Sequence, residues 1–73
     1  MYNIFGDNMY NTNKLKALRQ KNNYTMEDMS NKLNITAAYY CLIEHRKRTL
    51  YYDLAVKIAD IFNMRPDDIF YTK

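Results

Sequence analysis

The sequence predicts an all-α protein, a compact bundle of five short helices. Only one Gly and one Pro interrupt its 73 residues. Apolar residues recur mainly three and four positions apart, which is the period of a helix, and few segments alternate as strands do. With 48% hydrophobic residues the chain is too apolar to be a disordered tail, and its length allows one domain.

The first two helices are predicted from their capping residues. The first covers residues 13–22 and follows an N-cap at Thr12 or at the asparagine before it. The second covers residues 26–33. Thr25 is its N-cap, and Asp28, three residues later, completes the Thr-x-x-Asp form of a capping box.

The other three helices follow in the same way. The third is predicted over residues 37–44 after an N-cap at Thr36, and the fourth over residues 52–62. The fifth has one or two turns and starts at Pro66, because proline suits the first helical position. Asparagines are expected to end the first, second and fourth helices, at Asn22-Asn23, Asn34 and Asn63, and Asn34 can do so in the left-handed conformation.

The N-terminal residues carry no helical pattern. We therefore expect residues 1–12 to be a flexible arm and residues 13–73 to form the folded domain. An alternative for the arm is a short strand that pairs with the chain end around Tyr71. The sequence shows no repeat, linker or second domain.

Only three residues separate the second and third helices. Two short helices joined by such a turn, here Asn34-Ile35-Thr36, form a helix-turn-helix. The close crossing of its helices requires a small residue in the first of them, and Ser30 occupies that place. A helical hairpin in another small bundle can show the same features.

Residues 13–70 resemble the phage Cro/repressor family, also called the xenobiotic-response-element family. The matching stretches are "LKALRQKNNYTMEDMSNKLNI", "YYCLIEHRKR" and "LAVKIADIFNMRPDDIF". The resemblance implies a lambda-repressor-like five-helix bundle whose third helix enters the DNA major groove, while the loop after it contacts phosphates. It also implies an ion pair between Arg19 and Glu44.

The third helix departs from the family at the positions that read bases. Where the family usually has Gln, Arg, Ser or Asn, this chain has Ala37, Ala38, Tyr39, Cys41 and Leu42. Ala, Cys and Leu cannot make the bidentate contacts that distinguish adenine or guanine. We expect apolar contacts with thymine methyl groups, a hydrogen bond from Tyr39, and sensitivity to DNA shape. Two alternatives are that this face binds another protein, or that the function is lost or shared with a partner subunit.

The charge distribution favours phosphate contacts beside this helix. The net charge is +3, and the basic excess lies in the first two-thirds of the chain. The predicted phosphate-contacting residues are Lys14, Thr25, Thr36, Arg46, Lys47 and Arg48. Thr25 and Thr36 are expected mainly to cap the second and third helices. The N-termini of those helices can also offer backbone N–H groups to a phosphate. Arg46 stands where the family usually has Gly, so a positive φ there would cost on the order of 1 kcal/mol.

The predicted function is a sequence-specific DNA-binding transcriptional regulator, with repression as its expected action. Two subunits would bind a palindromic operator as a homodimer. The predicted dimer surface contains Phe62, Met64, Phe70 and Tyr71, although these residues could instead close the core. The alternative is a protein-interaction module of the same fold that binds a regulator through Tyr39, Cys41 and Leu42.

Enzymatic, metal-dependent and membrane functions are not expected. The single Cys and single His, Cys41 and His45, are four residues apart, and two ligands do not complete a metal site. There is no nucleophile with a base and an orienting group, and no glycine-rich phosphate loop. We expect no cofactor and no small-molecule ligand. The chain has no apolar run of about 20 residues and no signal-peptide pattern, so a cytoplasmic location is expected.

Overall fold

The computed structural model describes residues 10–70 and confirms the all-α prediction. The described residues form five helices and no strand: α1 Asn13–Lys21, α2 Met26–Leu33, α3 Ala37–Glu44, α4 Tyr52–Ile61 and α5 Pro66–Phe70. Each observed boundary lies within one residue of the prediction. Within this part of the chain, every helix is too short or too polar to cross a membrane.

A single hydrophobic core lies between the helices. Its buried members come from all five helices and from the segments beside them: Tyr10, Leu15, Met29, Leu33, Tyr40, Ile43, Leu50, Ala55, Ile58, Ala59, Ile69 and Phe70. Burial of each large side chain contributes about 1.5–3 kcal/mol relative to exposure. The two alanines of α4 leave room for neighbouring elements to approach closely.

The helix starts use two different kinds of cap. At α2, Thr25 Oγ1 accepts a bond from the Asp28 N–H and Asp28 Oδ2 accepts one from the Thr25 N–H, both at 2.9 Å, so the predicted capping box is present. At α1 the Thr12 hydroxyl does not cap the helix. Instead Asn11 Oδ1 accepts a bond from the Asn13 N–H at 2.8 Å.

Four of the five helices end in the same way. After α1, α2, α3 and α4 the chain passes through a residue with positive φ: Asn23, Asn34, Arg46 and Asn63 respectively. The following N–H then donates to a carbonyl in the last turn, as in the 3.0 Å bond from Ile35 to Ser30. This geometry satisfies carbonyls that a helix end leaves unpaired. Asn tolerates the left-handed region, and Arg46 is the exception in this set.

The segment before α1 belongs to the core at its C-terminal end. The predicted arm extended to residue 12, whereas Tyr10 and Thr12 are buried. The Asn11 N–H donates to the Phe70 carbonyl at 3.1 Å, and the rings of Tyr10 and Phe70 meet edge to face. Residues 1–9 and Tyr71, on which the rest of the arm and the strand-pairing alternative depend, lie outside the described residues.

Candidate nucleic-acid interface

The crossing of α2 and α3 buries one side of α3 and leaves the other side exposed to solvent. Ser30, the small residue predicted at the crossing, is buried, and its hydroxyl donates to the Glu27 carbonyl at 2.8 Å. Ile35 packs against the core from the short turn. Tyr40 and Ile43 are fully buried on the inner side of α3. The other side of the helix is therefore open to an approaching partner.

The open face of α3 is formed by the five predicted base-reading residues. Ala37 and Ala38 are exposed, Leu42 is 36% exposed, and Tyr39 and Cys41 are half-buried. Tyr39 and Cys41 are the members of this set whose side chains carry a polar group. The face has no carboxylate, since the only acid of α3, Glu44, is buried. An apolar face without negative charge is compatible with close approach to DNA.

The Cys41–His45 pair also lies on α3, at its C-terminal end. Cys41 Sγ is 3.4 Å from His45 Nδ1, and that nitrogen is 2.8 Å from the Cys41 carbonyl oxygen. Among residues 10–70 no cluster of three or more potential metal ligands occurs. The pair supplies two ligands at most, which is too few for a tetrahedral site.

Three exposed cations follow α3. Arg46, Lys47 and Arg48 lie in the loop between α3 and α4. The loop leaves the helix through a Schellman motif, in which the Arg46 N–H donates to the Ile43 carbonyl at 3.0 Å and the Lys47 N–H to the Leu42 carbonyl at 2.8 Å. The backbone of the cations is thereby fixed relative to the open face of α3.

Arg46 occupies a strained backbone position. Its φ is 59°, in the left-handed region where Gly is favoured and where Asn serves at the three other helix ends. Strain of this kind is retained mainly where the side chain has a function. The backbone position therefore marks Arg46 as a candidate functional residue.

Replacing Arg46 with Gly is expected to separate stability from binding. The variant should gain about 1 kcal/mol in free energy of unfolding, because Gly adopts a positive φ without steric conflict. It should bind duplex DNA less tightly, because a cation is lost. Urea denaturation and a DNA titration on the same sample measure the two effects. A variant that is less stable than the parent would contradict the strain argument.

A buried polar cluster joins α1 to the end of α3. Arg19 donates to Glu44 twice, from Nε to Oε2 at 2.7 Å and from Nη2 to Oε1 at 3.2 Å, so the implied ion pair is formed. The Tyr40 hydroxyl donates to Glu44 Oε2 at 2.7 Å. Arg19 Nη1 also donates to the Tyr24 carbonyl at 3.0 Å. The carboxylate raises the pKa of Arg19 above its usual value through these hydrogen bonds, against the opposing effect of burial.

Tyr40 makes stability depend on pH in alkaline solution. Burial, and then its hydrogen bond to Glu44, raise the pKa of Tyr40 above that of a free tyrosine. The unfolded chain releases this proton near pH 10 while the folded chain keeps it, so the contribution is complete below pH 10 and is lost as the pH rises further. From pH 10 to pH 11, Tyr40→Phe should lose about 1 kcal/mol less than the parent in urea denaturation, and above pH 11 the difference should approach about 1.4 kcal/mol per pH unit. Equal slopes would contradict this assignment.

The starts of α2 and α3 differ as anion sites. At α2 the Asp28 carboxylate already bonds the Thr25 N–H, and Glu27 adds a second negative charge to the first turn. The first turn of α3 has no acid, and Thr36 is exposed there. The start of α3 therefore suits a phosphate better than the start of α2 does. Lys14, the remaining predicted phosphate contact, is half-buried on α1.

The predicted dimer residues fall into three groups. Phe70 is 1% exposed and belongs to the core, so its assignment to a dimer surface is corrected. An apolar side chain at the end of a short helix can close the core or extend outward, and here it closes the core against Tyr10. Phe62 and Met64 are half-buried and pack against the edge of the core. Tyr71 lies outside the described residues.

The contacts of two residues near the interface, Tyr10 and Thr12, were not predicted from the sequence. The single O–H of Tyr10 donates a bifurcated hydrogen bond, at 2.7 Å to the Arg48 carbonyl and at 3.2 Å to the Ile43 carbonyl. The Thr12 hydroxyl donates to the Glu44 carbonyl at 2.7 Å. These bonds attach the N-terminal segment to the end of α3 and to the basic loop. No local pattern signals them, because the partners are more than 30 residues apart.

Comparisons with known proteins agree with this architecture. Residues 12–73 match the family model described as a helix-turn-helix domain. An uncharacterized HTH-type transcriptional regulator of Methanocaldococcus jannaschii is 40% identical over 58 residues, which cover 80% of this chain and 88% of the relative. No solved structure matches the chain significantly.

Proposed function

The chain belongs to the helix-turn-helix domain family, and from that premise we propose that it is a DNA-binding transcriptional regulator that acts as a repressor. In this proposal α3 is the recognition helix and lies in the major groove. The name of the archaeal relative supports regulation of transcription. Repression follows if the bound protein blocks access of the polymerase to its promoter.

The observation that carries the proposal is the joint presence of an open helix face and a cationic loop. The open face of α3 carries no acid, and Arg46, Lys47 and Arg48 follow it at once, all exposed. The chain retains Arg at a left-handed position where Asn is used elsewhere. A surface that only bound an apolar protein partner would not require three cations beside it.

Bases would be recognised mainly through shape and apolar contact. The methyl groups of Ala37 and Ala38 and the side chain of Leu42 suit thymine methyl groups in the major groove. Tyr39 adds a hydroxyl for a base edge or a phosphate. Because few polar groups are available, preference among sites would depend on how easily an A·T-rich duplex bends.

Phosphates would be bound at both ends of α3. At its start, the Thr36 end offers backbone N–H groups without a competing carboxylate. At its end, the cations of the loop neutralise phosphates and release counterions. Contacts at the two ends would fix the orientation of the helix in the groove, while the open face between them meets the bases.

A homodimer on a palindromic operator completes the proposal. A domain of this size buries only a small hydrophobic core, so a subunit contact would add to its stability. A helix-turn-helix protein that binds as a dimer places its two recognition helices about one helical turn of DNA apart. Phe62 and Met64, half-buried at the edge of the core, are the described residues that we assign to the subunit contact.

A salt titration with duplex DNA tests this function. If the protein neutralises several phosphates, the logarithm of the binding constant falls linearly with the logarithm of the salt concentration, by about 0.9 per contact. A homodimer in which two or three cations of each subunit contact phosphates should therefore give a slope of roughly −4 to −5. A slope near zero, or no binding at low salt, would contradict the proposal.

A second candidate function follows from the exposure of Leu42. The side chains of Tyr39, Cys41 and Leu42 form an apolar surface that could bind another regulator instead of DNA. Such binding would respond little to salt, since it would release few counterions. The same titration, repeated with a captured protein partner, distinguishes the two functions.

A further inference from the structure

The three cations after α3 are not equivalent. The guanidinium carbon of Arg48 lies 5.1 Å from the centre of the Tyr39 ring, within the range of a cation–π contact. Arg46 and Lys47 make no side-chain hydrogen bond or ion pair with the other residues that the structure describes. Among the three cations of the loop, Arg48 is therefore the one whose side chain contacts a residue of the open face, Tyr39.

Arg48 is also held through its backbone. Its carbonyl accepts the 2.7 Å hydrogen bond from the hydroxyl of Tyr10, whose ring is buried against Phe70. The same hydroxyl donates to Ile43 in the last turn of α3. One buried tyrosine therefore connects the end of the helix to the residue from which the Arg48 side chain extends.

The contact restrains the largest side chain of the open face. The neighbours of Tyr39 on that face are alanines, Cys41 and Leu42, so its ring is the aromatic group that the open face can bring to a DNA surface. A ring covered by a guanidinium samples fewer orientations than a free ring, and a partner has less ordering to impose on binding. At an exposed site the free energy of such a contact is modest, so the pair is partly preorganised before DNA binds.

From this geometry we propose that Arg48 is a positioning residue which holds Tyr39 in the orientation that contacts DNA. Arg46 and Lys47 then supply the phosphate contacts, and the Arg48–Tyr39 pair adds a direct contact to the site preference that DNA shape and the apolar residues provide. This inference rests on the proposed function. It replaces the expectation that all three cations contact phosphates alike.

The test compares Arg48→Lys with Lys57→Arg in the full chain. The first keeps the charge but replaces the guanidinium, whose planar group can lie flat on the ring, by a compact ammonium. The second exchanges an exposed cation of α4, outside α3 and the loop after it, and keeps its charge as well. The measured quantities are the salt slope and the ratio of affinities for a selected duplex and a scrambled duplex. Arg48→Lys should keep the slope and reduce the ratio roughly tenfold, the scale of one lost base contact. Lys57→Arg should change neither.

A second background makes the test specific to the pair. In a Tyr39→Leu variant the ring is absent, so Arg48→Lys should have no further effect on the affinity ratio. Equal effects in the two backgrounds, or an unchanged ratio for Arg48→Lys in the parent, would overturn the inference while leaving the proposed function in place. Absence of salt-dependent duplex binding by the parent protein would overturn both.

Discussion

Replacing Glu44 with Met is expected to lower the free energy of unfolding by about 3–5 kcal/mol, which is the usual cost of removing one member of a buried ion pair. Met has a similar size, so the loss would not arise from a cavity. Without the carboxylate, Arg19 keeps a charge that is 8% exposed, and the Tyr40 hydroxyl loses its acceptor. A small domain whose total stability is about 5 kcal/mol would be close to unfolded. Urea denaturation measures the change.

Two further variants control for this prediction. Glu27→Ala removes a carboxylate from an exposed position in the first turn of α2, and it should cost less than about 1 kcal/mol. Replacing both Arg19 and Glu44 with Met should be less harmful than replacing Glu44 alone, because no unpaired charge then remains buried. If the single variant were as stable as the parent, the cluster would not attach α1 to α3 as described.

Replacing Arg46 and Lys47 together with Ala is expected to reduce the affinity for duplex DNA at least roughly a hundredfold. Each cation that bonds a phosphate is worth about 1.5–3 kcal/mol, so two contacts give about 3 kcal/mol or more. The slope of the salt titration should also become shallower, by about 1.8 for each subunit bound, which is twice the 0.9 of one contact. Both quantities come from titrations at several salt concentrations.

The matched control removes two cations from another part of the surface. Lys57 and Arg65 are exposed and lie in α4 and in the segment after it, outside α3 and the loop that follows it. Replacing both with Ala changes the net charge by the same amount. It should leave the salt slope unchanged. Equal losses in the two double variants would mean that net charge alone, and not the loop after α3, attracts DNA.

The positions of the helices were predictable because their signals are local. The capping box of Thr25 and Asp28 and the left-handed turn at Asn34 each depend on residues within one turn. Such interactions form in the same way whatever the rest of the chain does. The observed boundaries of the helices therefore agree with the predicted ones to within one residue.

The contacts that organise the candidate interface were less predictable. The bonds from Tyr10 to Ile43 and Arg48 span 33 and 38 residues, and no sequence pattern near Tyr10 predicts them. The Arg19–Glu44 pair was expected only because the chain resembles a known family, since spacing alone does not join two charges 25 residues apart. Phe70 was assigned to the dimer surface for a related reason, because the sequence alone does not show whether an apolar residue packs in the core of its own subunit or against a partner.

Selection of bound fragments from random duplex DNA tests the central claim most directly. The claim is that the open face of α3 reads DNA while the cations after it hold the backbone. The account predicts enrichment of an A·T-rich palindrome whose half-sites are centred about one helical turn apart, with the enrichment lost when Tyr39 and Leu42 are both replaced by Glu. The account would be contradicted if the parent protein enriched no sequence, or if the variant with Glu at positions 39 and 42 enriched the same palindrome.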